Sequence, residues 1–331
     1  MAACLSGFTR GKQCVYKCAC QSPPYRTAAG QGIALVMTEL VRQIGIVGIG
    51  MIGASVAAAV KARAVASRVV AYSPGEDAKV ALAAGWIDRV CEQASDCLDD
   101  SDLLVLSAPV SSIIKLMPTI AQTLDQQLLS GKKLAVLTDT GSSKQGIIEA
   151  AKALGPHQSR FIAAHPIAGS ERRGAAAANP DLFLERSVLL CPNDEQDADS
   201  LKLVSRFWQS LGARTAVIDP KLHDAVYAEV SHWPHAAAFA LCLGIASGPL
   251  ADHSLARAGA GLKDTTRIAA SNPTLWADIL LSNKDATLAS AQRHRGALDE
   301  LMRCIEQEDR QRLIDLLAAA SHWRQQLQDF A

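Results

Sequence analysis

The stretch "QIGIVGIGMIGASVAAAV" at residues 43–60 constrains this chain more than any other. A short β-branched run, Ile44 to Val47, turns through Gly48, Gly50 and Gly53 into a row of alanines. Strand, glycine turn and helix in that order make a cradle for a pyrophosphate. Gly48 permits the tight turn, Gly50 lets backbone approach the phosphates, and Gly53 lets the helix pack on the strand. The helix start adds free N–H groups and the positive end of its dipole. The glycine spacing alone is weak evidence, but a second strand at "RVVAY" (68–72) supplies the context that makes it specific. Gly48, Gly50, Met51, Ile52 and Gly53 are therefore candidates for binding a dinucleotide cofactor.

After that second strand the fingerprint expects a carboxylate for the adenine ribose. Tyr72-Ser73-Pro74-Gly75 stands there instead. Without the acid nothing repels a 2′-phosphate, which favours NADP over NAD. Ser73 is the candidate contact, and Glu76 is a displaced carboxylate that would serve NAD. The alternation continues with "DLLVLSAPV" (102–110), a buried strand ending at Pro109, and "KKLAVLTDTGSSK" (132–144), which opens after Thr140 onto a Gly-Ser turn. "RFIAAHPIAGSERRG" (160–174) repeats the pattern with His165 at the strand end. Ligands in open α/β sheets lie beyond the carboxyl ends of the strands, so Pro109, Thr140 and His165 are expected around one crevice. Apolar runs at 187–191 and 214–218 bracket a helix at 196–211. The fold class is a Rossmann-type doubly wound α/β sheet over 37–219, followed by an all-helical domain over 220–331.

From His223 onward the periodicity is helical. "HDAVYAEVSHWPHAAAFALCLGIA" (223–246) predicts one long helix kinked at Pro234, with His232 and His235 on one side of it. On their own these histidines fit two core side chains bonded to nearby carbonyls. Asp264 and Arg267, three apart, can pair on a helix; the pair fits a structural ion pair and a fixed clamp for a carboxylate equally well. Two amphipathic helices over 284–328 carry Leu288, Leu298, Leu301 and Ile305, then Leu313, Leu316, Leu317 and Ala320, a stripe for core or subunit interface.

Composition excludes several function classes. Lys plus Arg equals Asp plus Glu at 33 each, so no basic field calls for nucleic acid or an anionic membrane. No apolar run approaches the ~18–20 residues that span a bilayer. Of nine cysteines, Cys4, Cys14, Cys18 and Cys20 cluster near the start without a matching Cys/His pair at zinc spacing, so no metal is expected. Scattered single thiols suit a cytoplasmic protein. Residues 1–36 hold no acid and no periodic apolar face; they read as an extension outside the fold, disordered or mis-called, with Met37 as the start.

Five segments in order, "GIGMIG", "TDTGSSK", "HPIAGSE", "HDAVYAEVSHWPH" and "DTTRIAASNPTLWADI", together resemble the prephenate/arogenate (cyclohexadienyl) dehydrogenases of tyrosine biosynthesis. The resemblance implies a dinucleotide domain and a helical dimerisation domain with the active site between them, in a homodimer. It implies that His165 is the catalytic histidine at the ring hydroxyl and that Ser142 touches the same hydroxyl. It implies that Arg267 holds the substrate carboxylate in an ionic network with Glu171 and Asp264, near His232, His235 and Trp276. Departures from the family pattern are Leu262-Lys263 before the "DTTR" segment, Ser143 in the Gly-Ser turn, and Arg172-Arg173 after Glu171. Two rivals remain at this point. A β-hydroxyacid-type dehydrogenase would need a catalytic lysine, for which Lys263 is the candidate. A non-catalytic dinucleotide-binding protein would need the glycines alone.

Overall fold

A computed structural model describes residues 39–169, 172–192 and 196–327. The expectation for residues 1–36 lies outside them. Eight strands form one sheet: β1 (Val41–Val47), β2 (Ala66–Tyr72), β3 (Arg89–Val90), β4 (Leu103–Leu106), β5 (Val136–Asp139), β6 (Phe161–Pro166), β7 (Ser187–Cys191) and β8 (Arg214–Val217). Their order is β3-β2-β1-β4-β5-β6-β7-β8. The chain thus winds outward in one direction from β1 and then in the other from β4. The switch between β1 and β4 opens a crevice at their carboxyl ends.

Crossover helices cover both faces: α1 (Met51–Ala62), α2 (Asp77–Ala83), α3 (Val110–Leu129), α4 (Gln145–Ala151) and α5 (Ala198–Ser210). Because both faces are covered, the central strand β4 is apolar and buried at every position. Leu103 and Val105 point into the core that holds Phe207 and Trp208, while Leu104 and Leu106 point into the core under α3 that holds Ile113 and Met117. All adjacent strands run parallel except β6 and β7. Between those two, the described residues hold only a short 3-10 turn at Ala175–Ala177. Lacking a crossover helix, the chain doubles back and β7 pairs antiparallel.

Past β8 the elements among the described residues are helices: α6 (Pro220–Tyr227), α7 (Trp233–Ala246), α8 (Ala251–Ala256), α9 (Ala260–Thr266), α10 (Pro273–Ser282), α11 (Lys284–Glu306) and α12 (Arg310–Gln326). The single helix expected over 223–246 runs unbroken, but its irregularity is a widened turn. A π-turn at Ala228–His232 joins α6 to α7, and Pro234 falls in the first turn of α7. Proline lacks an N–H and crowds the carbonyl four residues back. Widening one turn removes that clash and lets the helix continue.

Candidate active site at the carboxyl ends of the strands

The glycine turn has the geometry that its sequence requires. Gly48 has φ +96°, and a Cβ there would lie 2.2 Å from the Ser107 carbonyl oxygen. At Gly53 a Cβ would sit 1.9 Å from the Gly48 oxygen, so helix and turn touch only because both residues are glycine. Gly50 is different: a Cβ would meet nothing within 4 Å. Its bare face looks into open space at the start of α1. The N–H groups of Met51, Ile52 and Gly53 have no acceptor among the described residues. Orphan donors at the positive end of a helix, beside a glycine with room in front of it, fit the pyrophosphate of a dinucleotide.

The neighbouring strand ends line the same place. Thr140 follows β5 and donates from Oγ1 to Ser107 Oγ at 3.1 Å. Pro109 is exposed at the start of α3. Ser73 is partly exposed just beyond β2, and Glu76 pairs with Lys79 on the surface.

A buried brace sits under the Gly-Ser turn. Lys144 and Asp139 are both 0% exposed. Lys144 Nζ donates to Asp139 Oδ2 at 2.5 Å and to the Ala164 carbonyl at 2.6 Å. Asp139 in turn accepts from the N–H of Gly141 (2.7 Å) and of Ala164 (3.0 Å). An ion pair so deep is tolerated because each charge also has neutral partners. It locks the end of β5, the turn and the residue before His165 into one unit. Ser143, a departure from the family pattern, is also accounted for: its hydroxyl donates to Ser282 Oγ on α10 at 2.8 Å.

His165 stands one residue before the end of β6, partly exposed. Its Nδ1 is 2.9 Å from His223 Nε2, and His223 Nδ1 is 2.8 Å from Asp224 Oδ1. Tyr227 packs edge-on against the His165 ring at 4.8 Å and stacks on His223 at 4.6 Å. Burial, and then the nearby Lys144, His223 and His232, hold His165 well below the ordinary histidine range. It is therefore neutral at pH 7, and its Nε2 carries no hydrogen bond among the described residues.

The helical side supplies the opposite wall. His232 is buried; its Nδ1 accepts from Asn283 Nδ2 at 3.0 Å, which leaves Nε2 carrying the proton. That Nε2 is buried without a well-aligned acceptor, close to the Ser142 backbone. Burial chiefly lowers the His232 pKa to about 4. His235 stacks on Trp276 with centroids 3.5 Å apart, and its Nδ1 donates to the Ser231 carbonyl at 2.9 Å. Trp276 also meets His232 edge-on at 6.5 Å. Burial lowers His235, the Ser231 carbonyl opposes this, and the Arg267 charge lowers it further. Arg267 is exposed where α9 gives way to a 3-10 turn.

Not every expected contact forms. Asp264 and Arg267 make no ion pair among the described residues. Both side chains are exposed, at and just before the end of α9. Glu171 lies outside the described residues. The Ser142 side chain makes no hydrogen bond to His165 among the described residues, and Lys263 is exposed on α9. The sequence reading missed Asp139, Lys144, His223, Asp224, Tyr227 and Asn283 as parts of this site. A signal existed for most of them: Asp139 and Lys144 frame the Gly-Ser turn, and His223, Asp224 and Tyr227 fall within "HDAVY".

Comparisons with known proteins converge on one family. A model described as prephenate dehydrogenase, nucleotide-binding domain, matches residues 56–217. One described as prephenate dehydrogenase, dimerization domain, matches residues 219–319. Prephenate dehydrogenase of Bacillus subtilis is 29% identical over 75% of this chain and 66% of its own length. The chain thus spans just under two thirds of that relative. Cyclohexadienyl dehydrogenase of Zymomonas mobilis is 32% identical over 69% of the chain and 76% of its own length. A crystal structure of prephenate dehydrogenase from A. aeolicus, in complex with hydroxyphenyl propionate and NAD+, matches with TM-score 0.78 and 30% identity, over 86% of this chain and 98% of that one. Among the described residues, no helix is long and apolar enough to cross a membrane, and no cluster of metal-binding side chains is found.

Proposed function

The chain belongs to the prephenate dehydrogenase family, and on that footing we propose that it catalyses the oxidative decarboxylation of prephenate, arogenate or both, in the cytoplasm. The observation that carries this reading is the position of His165. It stands near the carboxyl end of β6, close to His232, with an Nε2 that has no hydrogen bond among the described residues. The dinucleotide supplies a hydride acceptor. The substrate ring carries a hydroxyl on the carbon that gives up hydride and a carboxylate across the ring. His165, neutral, accepts the hydroxyl proton as the hydride departs. The carbonyl so formed draws in the electron pair of the C–C bond to the carboxylate. Carbon dioxide leaves, the ring becomes aromatic, and the oxygen regains a proton as a phenol. We assign residues 37–219 to the dinucleotide and 220–331 to the substrate, Ser142 and His232 to the ring hydroxyl end, and Arg267, with Asp264 and Glu171 as its proposed acidic network, to a substrate carboxylate.

Arg267 is assigned to a substrate carboxylate. Its guanidinium is exposed and has no ion-pair partner among the described residues. A charge-assisted hydrogen bond contributes ~1.5–3 kcal/mol, so Arg267→Ala should raise KM roughly tenfold or more with little change in melting temperature. A normal KM in a less stable variant would return Arg267 to a structural role.

Ser73, where an acid would repel a 2′-phosphate, favours NADP. Ser73→Asp should shift the ratio of kcat/KM values toward NAD. An unchanged ratio would place the discrimination elsewhere in the adenosine pocket.

The helical half is built to meet a second copy of the chain. The α7 sequence "WPHAAAFALCLGIA" is almost wholly apolar, yet only Ala238 of it is buried. Leu243 is 70% exposed, and α12 has no buried residue while presenting Leu317 and Trp323. An apolar helix left uncovered marks an interface, and two-fold dimers are the commonest assembly. Sedimentation at micromolar concentration should give a dimer, and Leu316→Asp with Leu317→Asp should dissociate it. A wild-type species of monomer mass would contradict this.

A further inference from the structure

The contact between His165 and His223 has a direction. Asp224 accepts from His223 Nδ1 at 2.8 Å and also from the N–H groups of Lys144 (2.8 Å) and Gln145 (2.9 Å) at the start of α4. Burial pushes the Asp224 carboxyl up, but the hydrogen bonds from His223 and from these two N–H groups outweigh it and hold it below the usual carboxylate range. A carboxylate only accepts, so a neutral His223 carries its proton on Nδ1 and leaves Nε2 as a bare lone pair. That lone pair faces His165 Nδ1 at 2.9 Å. His165 must therefore donate from Nδ1, which leaves its Nε2 unprotonated.

We propose that His223, anchored by Asp224, is a positioning residue that holds His165 in the Nδ1–H tautomer and presents a basic Nε2 to the substrate hydroxyl. The proposal rests on the reading of His165 as proton acceptor. A free histidine side chain in water favours the opposite tautomer, whose Nε2 already carries a proton and cannot take another without first losing it. The rings are also held in place sterically: Tyr227 stacks on His223 and abuts His165. His223 is 0% exposed, so no water competes for its lone pair. The other charged or titratable groups around the pair are the Lys144–Asp139 ion pair beneath and His232 on the far side. Lys144 disfavours a cation on His165, whereas Asp224 stabilises one shared along the His165–His223 hydrogen bond. The proton taken up in the reaction is thereby drawn toward the buried carboxylate.

Nitrogen NMR of the full chain labelled with 15N-histidine reads the tautomer directly, with His165 assigned by the signals lost in His165→Asn. The wild type should show His165 with a protonated Nδ1 and an unprotonated Nε2. In His223→Leu this pattern should reverse, and kcat should fall at least about tenfold while KM for cofactor and substrate stays within a few-fold. His223→Gln, whose amide oxygen can accept from Nδ1–H, should keep the wild-type pattern and recover most of the rate. A wild-type His165 protonated on Nε2 would overturn the proposal, and that measurement stands even if the leucine variant does not fold. Unchanged kcat in His223→Leu, or equal loss in both variants with the tautomer unaltered, would also overturn it. A wild type inert toward prephenate and arogenate would instead defeat the functional reading, leaving the tautomer result intact.

Discussion

His165→Asn is expected to lower kcat by ~10²–10⁴-fold, the usual contribution of a positioned general base. KM for cofactor and substrate should stay within a few-fold. Asparagine can keep a hydrogen bond to His223 but has no lone pair able to take a proton near neutral pH. The wild-type pH profile follows from the same environment. Burial, and then the nearby Lys144, His223 and His232, lower the His165 pKa well below 6.5. A base must be neutral to act, so kcat/KM should stay level as pH falls through 6.5 and drop only at more acid pH. In the variant that acid limb should vanish. Steady-state kinetics from pH 5 to 9 decide both points; an unchanged kcat would remove His165 from the chemistry.

Lys144→Met should cost ~3–5 kcal/mol of stability, the range for removing one partner of a buried ion pair. The Asp139 carboxylate would be left at 0% exposure with only the N–H groups of Gly141 and Ala164. Asp139→Leu combined with Lys144→Met removes both charges and should be considerably less destabilised than either single variant. Urea unfolding of the four proteins gives the coupling directly. The rate should suffer as well in the single variant, because the brace holds Ala164, next to His165. A loss below ~1 kcal/mol would mean that water reaches the site and the pair is not truly buried.

Much of this was legible in residue order. The glycine turn at 48–53 could be read because a positive φ and contacts of about 2 Å leave no alternative side chain. The alternation of strand and helix periods gave the sheet and its crevice, and with it Thr140, Pro109 and His165. Local spacing did less well where the partner is remote in sequence. The i,i+3 rule put Asp264 with Arg267, but no ion pair forms between them among the described residues. His223 is 58 residues from His165, so the link between them appears only once β6 and α6 are side by side. The antiparallel β7 escaped because its apolar run looks the same in either direction; only the missing crossover helix decides. The π-turn before Pro234 escaped for a related reason. Proline signals a disturbance in a helix but not whether the helix bends or widens to absorb it.

The central claim is that this site oxidises and decarboxylates a ring bearing a hydroxyl and a carboxylate. The most direct test follows the reduced dinucleotide by absorbance, with purified protein, NAD or NADP, and either prephenate or arogenate. One of the four combinations should show steady formation of reduced cofactor with an equal release of carbon dioxide, and His165→Asn should abolish both. Absence of reduced cofactor in all four, from a protein that is folded and binds the dinucleotide, would contradict the account.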